Sequence, residues 1–238
     1  MPVRLVLLPG MDGTGDLFEP LKHALGPQAP VDVVRYPTQQ MLGYDALMPL
    51  VRAQLPEQEP FVLLGESFSG PLAVSIASSP PVGLRALILC CSFARTPVPS
   101  MALLPGGILD FWARLALSKA MRAPMERMLL GSSPAPQLAA LLQASLAKVS
   151  ASVIAHRMKE VRDVNVLDRV SELRMPVMYL QAQQDRLVPR AAAADILRRL
   201  PSTHVVKLDG PHGLLQASPD ASARAIVRFC RDLMPAAP

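Results

Sequence analysis

The sequence predicts an α/β protein, a six-stranded and mostly parallel sheet with helices on both faces and a helical insertion in the middle of the chain. Three observations carry that expectation. Short runs rich in branched apolar residues recur along the 238 residues, near-continuous rather than alternating, as strands covered on both faces are. Stretches with helical spacing lie between most of them, and strand–helix–strand alternation implies parallel pairing. The alternation then stops between Phe93 and Val170 and the pattern becomes helical throughout.

In order, the strands are expected at 3–8, 31–36, 61–64, 84–90, 177–181 and 204–208, and the intervening helices at 16–25, 44–55, 68–78, 190–200 and 220–233. Residues 93–170 are interrupted by Pro97, Pro99, Pro105, Pro124, Pro134 and Pro136, so several short helices are expected there, stacked over the sheet edge as a lid. The core is then 1–92 with 171–238 and the lid 93–170, without internal repeats. The Pro/Ala tail from Pro235 onward is expected to fray.

Composition supports a single well-buried domain: half of the residues are hydrophobic and 18% charged, which excludes a disordered chain. Three cysteines, Cys90, Cys91 and Cys230, do not make a disulfide framework. The first residues reach Pro9-Gly10 too soon for a signal peptide, and no apolar run approaches the length of a membrane span. A cytoplasmic protein without stable membrane insertion is the expectation. The formal charge of +5 is localised, since residues 94–170 hold ten basic and five acidic side chains and the remainder balances.

The most specific motif is Gly65-Glu66-Ser67-Phe68-Ser69-Gly70, where the third strand should turn into a helix. A serine held in so sharp a turn needs small residues two positions before and after it, because side chains there would collide with the strand and helix. Gly65 and Ser69 meet that need for Ser67. Ser69 as nucleophile would have Ser67 and Pro71 in those places, a poorer fit.

Serine is a weak nucleophile until a histidine takes its proton. His23 and His156 lie in helical stretches and His204 within a strand, whereas His212 lies in Asp209-Gly210-Pro211-His212-Gly213, a loop after the last strand, where parallel sheets present ligand-facing residues. The orienting acid is expected after the preceding strand, and Asp185 is there. Asp209 is the competitor and reads as a turn former; Asp163 and Asp168 are weaker rivals. Backbone N–H groups of Phe68, next to the serine, and of Met11, in the loop Leu8-Pro9-Gly10-Met11-Asp12-Gly13-Thr14-Gly15, are candidates to receive an oxyanion. That loop lacks the Lys-Ser/Thr of a P-loop and the glycine spacing of a dinucleotide fingerprint.

Taken together, loop 9–15, elbow 65–70, Asp185 in Gln184-Asp185-Arg186-Leu187-Val188-Pro189 and His212 resemble the α/β-hydrolase superfamily over nearly the whole chain, in the order serine, acid, histidine. The second half resembles carboxylesterases that hydrolyse pimeloyl-carrier-protein methyl ester in biotin synthesis. Loop 8–15 resembles lysophospholipase-like and phytyl ester synthase-like acyl enzymes. Two departures stand out: the common His-Gly of the oxyanion loop is Pro9-Gly10, and the chain begins directly with the strand leading to that loop. Dehalogenase and epoxide hydrolase relatives carry aspartate where Ser67 stands, the latter also lid tyrosines, and Tyr36, Tyr44 and Tyr179 all lie outside 93–170.

The resemblance implies a serine carboxylesterase using Ser67, Asp185 and His212, with no metal or organic cofactor and no nucleic-acid partner. Transfer to an alcohol, lysophospholipase or thioesterase chemistry with the same triad, and a non-catalytic ligand-binding relative stay open. Arg114, Lys119, Arg122, Arg127, Arg157, Lys159 and Arg162 are candidates for a face that docks an acidic acyl carrier protein or anionic lipid, against the alternative of an ordinary solvated helix face. Met101, Met121, Met125, Met128 and Met158, with Phe111 and Trp112, are read as lid packing or as a flexible wall for an acyl chain.

Overall fold

Continuous apolar runs become strands buried on both faces. A computed structural model describes residues 3–233 and places β1 (Arg4–Leu8), β2 (Val31–Val33), β3 (Phe61–Glu66), β4 (Leu84–Cys90), β5 (Val177–Ala182) and β6 (His204–Leu208) in one sheet. The order is β2-β1-β3-β4-β5-β6 and every pair is parallel. Because successive side chains point to opposite faces, each apolar run feeds two cores. Leu5, Leu7, Val62, Leu64, Ile88 and Leu180 pack on one side with Leu21 of α1 (Glu19–Leu25). Val6, Leu8, Leu63, Leu87, Leu89 and Tyr179 pack on the other with Leu47 of α2 (Tyr44–Arg52) and Leu72 of α3 (Gly70–Ser78).

The expected strand at 31–36 ends three residues early. Tyr36 gives its N–H to the Gly13 carbonyl, 2.8 Å away in the loop after β1, instead of to the ladder. The residue is thereby turned toward the C-terminal edge of the sheet. The expected helix at 68–78 likewise opens with a 3₁₀ turn, Ser67–Ser69, before α3 begins.

Between β4 and β5 lie a 3₁₀ turn (Pro99–Leu103), α4 (Gly106–Ala116), a second 3₁₀ turn (Lys119–Met121), α5 (Arg122–Leu130), α6 (Pro136–Ala147), α7 (Ala151–Asp163) and α8 (Leu167–Val170). Pro99 and Pro136 start elements here, since a fixed φ and a missing N–H are harmless in a first turn. Ala113 of α4 meets Val153, Ile154 and Ala155 of α7 in a small third core that also touches Met11 and Met158. Met101 packs on the main core, whereas Phe111 and Trp112, edge-on to each other at 6.2 Å, are 62% and 47% exposed. Glu160 of α7 accepts the Tyr44 N–H at 2.8 Å, capping α2, and Gly43 leaves no room there for a Cβ.

After β5 come α9 (Arg190–Arg199), then, beyond β6, α10 (Leu214–Ala217) and α11 (Pro219–Asp232), whose Ile226 and Phe229 close the first core. No single helix among the described residues is long and apolar enough to cross a membrane. Cys90, Cys91 and Cys230 are free thiols, all buried. The tail from Pro235 lies outside the described residues.

Candidate active site

Within 61–70 every residue is buried except Ser67, which stands partly open at the end of β3. Its φ of 47° lies in the left-handed region, costly for a side chain with a Cβ, so the surrounding turn must hold it there. The packing shows how. A Cβ on Gly65 would come within 2.8 Å of the Ala73 Cβ, and one on Gly70 within 1.7 Å of the Ser92 Oγ. The Ser92 hydroxyl donates to the Ser67 carbonyl at 2.5 Å, and the Ser92 backbone carbonyl accepts the Tyr179 hydroxyl at 2.6 Å. Ser69 is fully buried, bonded to the Pro9 carbonyl and to the Tyr36 hydroxyl, so its oxygen ties the elbow to the loop after β1 and has no access to a substrate.

The loop after β6 brings His212 over this turn. Its Nε2 lies 2.8 Å from Ser67 Oγ and its Nδ1 lies 2.8 Å from Asp185 Oδ2. The other carboxylate oxygen of Asp185 accepts the Leu187 and Val188 N–H groups at 2.8 and 2.9 Å, which fixes the acid's plane. Gly210, at φ +153°, lets the His212 loop turn where a Cβ would strike Leu214 and Ser218. Asp209 instead accepts from Gln184 Nε2 at 2.8 Å and does not touch His212. Asp163 pairs with Arg162, and Asp168 with Arg199. A proton can pass from Ser67 Oγ to Nε2 while Asp185 holds the proton on Nδ1.

Phe68 N–H sits in the first turn of a helical element, where amides have no partner within the helix. Met11 follows Gly10 in the facing loop, and among the described residues its N–H donates to no protein acceptor. Asp12 Oδ2 accepts the Thr14 N–H at 2.9 Å and the Thr14 hydroxyl, and Gly13 and Gly15 take φ of +71° and +73°. Among the described residues no group of three His, Cys, Asp or Glu side chains is placed to hold a metal ion.

Sequence reasoning missed Glu66, an acid at the end of a fully apolar strand, which was itself the signal. It is buried at 7% exposure, and Gln216 Nε2 donates to it at 3.0 Å. Burial pushes its carboxyl up from 4.5 to about 7, with Asp12 adding to the rise and Gln216, His212 and the Gly10 N–H opposing it. The folded state therefore favours the protonated acid, so this group's contribution to stability is complete below about 4.5 and is lost as pH rises through about 7. Wild type is expected to lose about 2–3 kcal/mol more unfolding free energy between pH 5 and pH 8 than Glu66→Gln. Urea unfolding at both pH values measures this, and equal pH slopes would remove Glu66 from the account.

The proposed basic face is corrected in part. Arg157 is fully buried; it donates from Nη1 to the Met11 carbonyl at 2.7 Å and from Nη2 to the Pro37 carbonyl at 3.0 Å, so it cannot meet a partner. It lies on the apolar side of α7, in register with Ile154 and Val161, so helical periodicity could have placed it inside. Lys159 pairs with Asp110 at 2.8 Å and Arg162 with Asp163 at 2.6 Å. Arg114, Lys119, Arg122 and Arg127 are exposed.

The family model described as serine aminopeptidase, S33 (Hydrolase_4) matches residues 38–209. The pimeloyl-[acyl-carrier protein] methyl ester esterase of Pectobacterium atrosepticum is 27% identical over 245 residues, covering 95% of this chain and 94% of that one. Phytyl ester synthase 1 of Arabidopsis thaliana is 32% identical over 140 residues, 53% of this chain, but the match spans only 20% of the synthase. A thermophilic esterase from Thermogutta terrifontis superposes with a TM-score of 0.80 over 99% of this chain and 92% of its own, at 17% identity, a likeness of fold.

Proposed function

The chain belongs to the serine aminopeptidase S33 family of α/β hydrolases, and from that premise we propose that it is a serine carboxylesterase working through an acyl-enzyme on Ser67. The observation that carries this reading is the continuous hydrogen-bonded line Ser67–His212–Asp185, both links 2.8 Å long, on a serine held at positive φ. In the first step Ser67 Oγ bonds to the ester carbonyl carbon while its proton moves to His212 Nε2. The oxyanion accepts the Met11 and Phe68 N–H groups. The C–O bond to the alcohol then breaks, and the alcohol leaves with the proton from Nε2. Water repeats the sequence on the acyl-enzyme and releases the acid, while Asp185 stabilises the imidazolium throughout.

Of substrates, we favour a carrier-protein-linked methyl ester, supported by the end-to-end similarity to the Pectobacterium esterase. Segment 93–170 serves in this reading as a lid, and Arg114, Lys119, Arg122 and Arg127 as the cations left to meet an acidic carrier. Transfer to an alcohol is the second reading, favoured by the stretch shared with the phytyl ester synthase. The deciding experiment is a panel of p-nitrophenyl esters of rising chain length, an aminoacyl p-nitroanilide and a carrier-protein methyl ester. Turnover of the esters without the anilide is expected; cleavage of the anilide alone would make the protein an aminopeptidase, and ester products appearing with added alcohol would make it a transferase. Raising salt from 50 to 500 mM is expected to lower kcat/KM on the carrier-protein ester and spare the p-nitrophenyl esters, because exposed charges are screened within a Debye length of about 10 Å at 0.1 M. Equal salt dependence would exclude docking through these cations.

A further inference from the structure

We propose that Arg157 is a positioning residue, carried on α7, that pins the Met11–Asp12 peptide through its carbonyl and so fixes the backbone of Met11 on the side away from its N–H, holding the residue where that N–H faces the reacting carbonyl oxygen. The inference rests on the acyl-enzyme reading. Its starting point is that a cation stands fully buried beside a glycine-rich loop. Two of its nitrogens bond carbonyls from separate segments, Met11 at 2.7 Å and Pro37 at 3.0 Å, while its Nε–H has no acceptor among the described residues. A buried charge with one donor left unpaired is a poor device for stability alone, because its desolvation is incompletely repaid. What the planar fork supplies is geometry, fixing two carbonyls at a set angle to one another.

That geometry bears on both candidate donors. The guanidinium bonds Met11 and lies 5.8 Å from the centroid of the Phe68 ring, with the Tyr36 ring at 5.6 Å on its flank. Gly13, two residues beyond Met11, is kept open for it: a Cβ there would stand 2.6 Å from Nη1. Within the loop the Gly13 N–H donates to the Gly10 carbonyl at 3.1 Å and holds the peptide that carries the Met11 N–H, whereas the following Met11–Asp12 peptide, near a glycine free to turn, takes its restraint from outside the loop. Arg157 provides it from the segment between β4 and β5, which makes donor alignment depend on that segment being seated.

The test compares R157K, R157M and R157A with wild type. Wild type is first labelled with a fluorophosphonate; absence of label at Ser67 would defeat the acyl-enzyme reading itself, whatever Arg157 does. With labelling established, R157M and R157A are expected to lose about 10- to 100-fold in kcat on a p-nitrophenyl ester. KM should stay within about threefold, because the interaction is made in the transition state. Affinity for a trifluoromethyl ketone analogue should fall with kcat, and millimolar guanidinium should restore part of the R157A rate and none of R157M. R157K keeps a cation in the interior and covers the case in which the other two fail to fold; its single ammonium cannot hold both carbonyls, so it too should lose kcat at unchanged KM. A folded variant with wild-type kcat, or one in which only the melting temperature falls, would overturn the proposal.

Discussion

Ser67→Ala is expected to lower kcat for ester hydrolysis by about 10⁴- to 10⁶-fold and to abolish fluorophosphonate labelling, while leaving the fold intact. The size follows from what remains. On the proposed mechanism no acyl-enzyme forms without Oγ, and only substrate binding and the proposed backbone donors at Met11 and Phe68 act on an attacking water. The matched control is Ser69→Ala, which removes bonds to the Pro9 carbonyl and the Tyr36 hydroxyl. That variant should still be labelled at Ser67, with activity reduced because the elbow and the loop after β1 are less firmly joined. Intact-mass measurement after labelling reads both variants, and a label surviving in Ser67→Ala would remove Ser67 from its assigned place.

The second large effect separates the two acids near His212. Asp185→Asn is expected to cost about 10⁴-fold in kcat, since an amide at Oδ2 would present a donor to Nδ1 and favour the wrong tautomer. Asp209→Asn should leave kcat near wild type, because among the described residues the Asp209 carboxylate accepts from Gln184 alone and the Ser218 hydroxyl bonds its backbone carbonyl, which the change keeps. Steady-state kinetics on one ester suffices, and the reverse ranking would move the acid's role to the shorter sequence spacing. Asp185→Asn should also retain the bonds from Leu187 and Val188, so a melting temperature close to wild type would separate chemistry from collapse.

These expectations reach back to unequal kinds of legibility. The sheet was readable because continuous apolar runs have few alternatives, and the strand count matches the six strands observed. Strand ends were less so: the early end of β2 follows from Tyr36 finding a carbonyl in another loop, a partner that local pattern does not reveal. The proline-rich segment was expected to be broken into short helices, yet Pro99 and Pro136 open elements there. The same residue type ends a helix or starts one according to the turn in which it falls.

Small neighbours and strand ends are local facts, so the chain alone makes legible the fit of Ser67 rather than Ser69 to the turn and the places of Asp185 and His212 after strands. What each buried charge faces is a matter of packing. The apolar pattern around Arg157 and Glu66 signals burial, but the neighbours that replace their water come from packing: two carbonyls and two rings for Arg157, Gln216 for Glu66. Net charge is additive along a sequence, but desolvation depends on what surrounds a group in space, so the basic excess of 94–170 suggests a docking face while one of its arginines lies buried against the loop after β1.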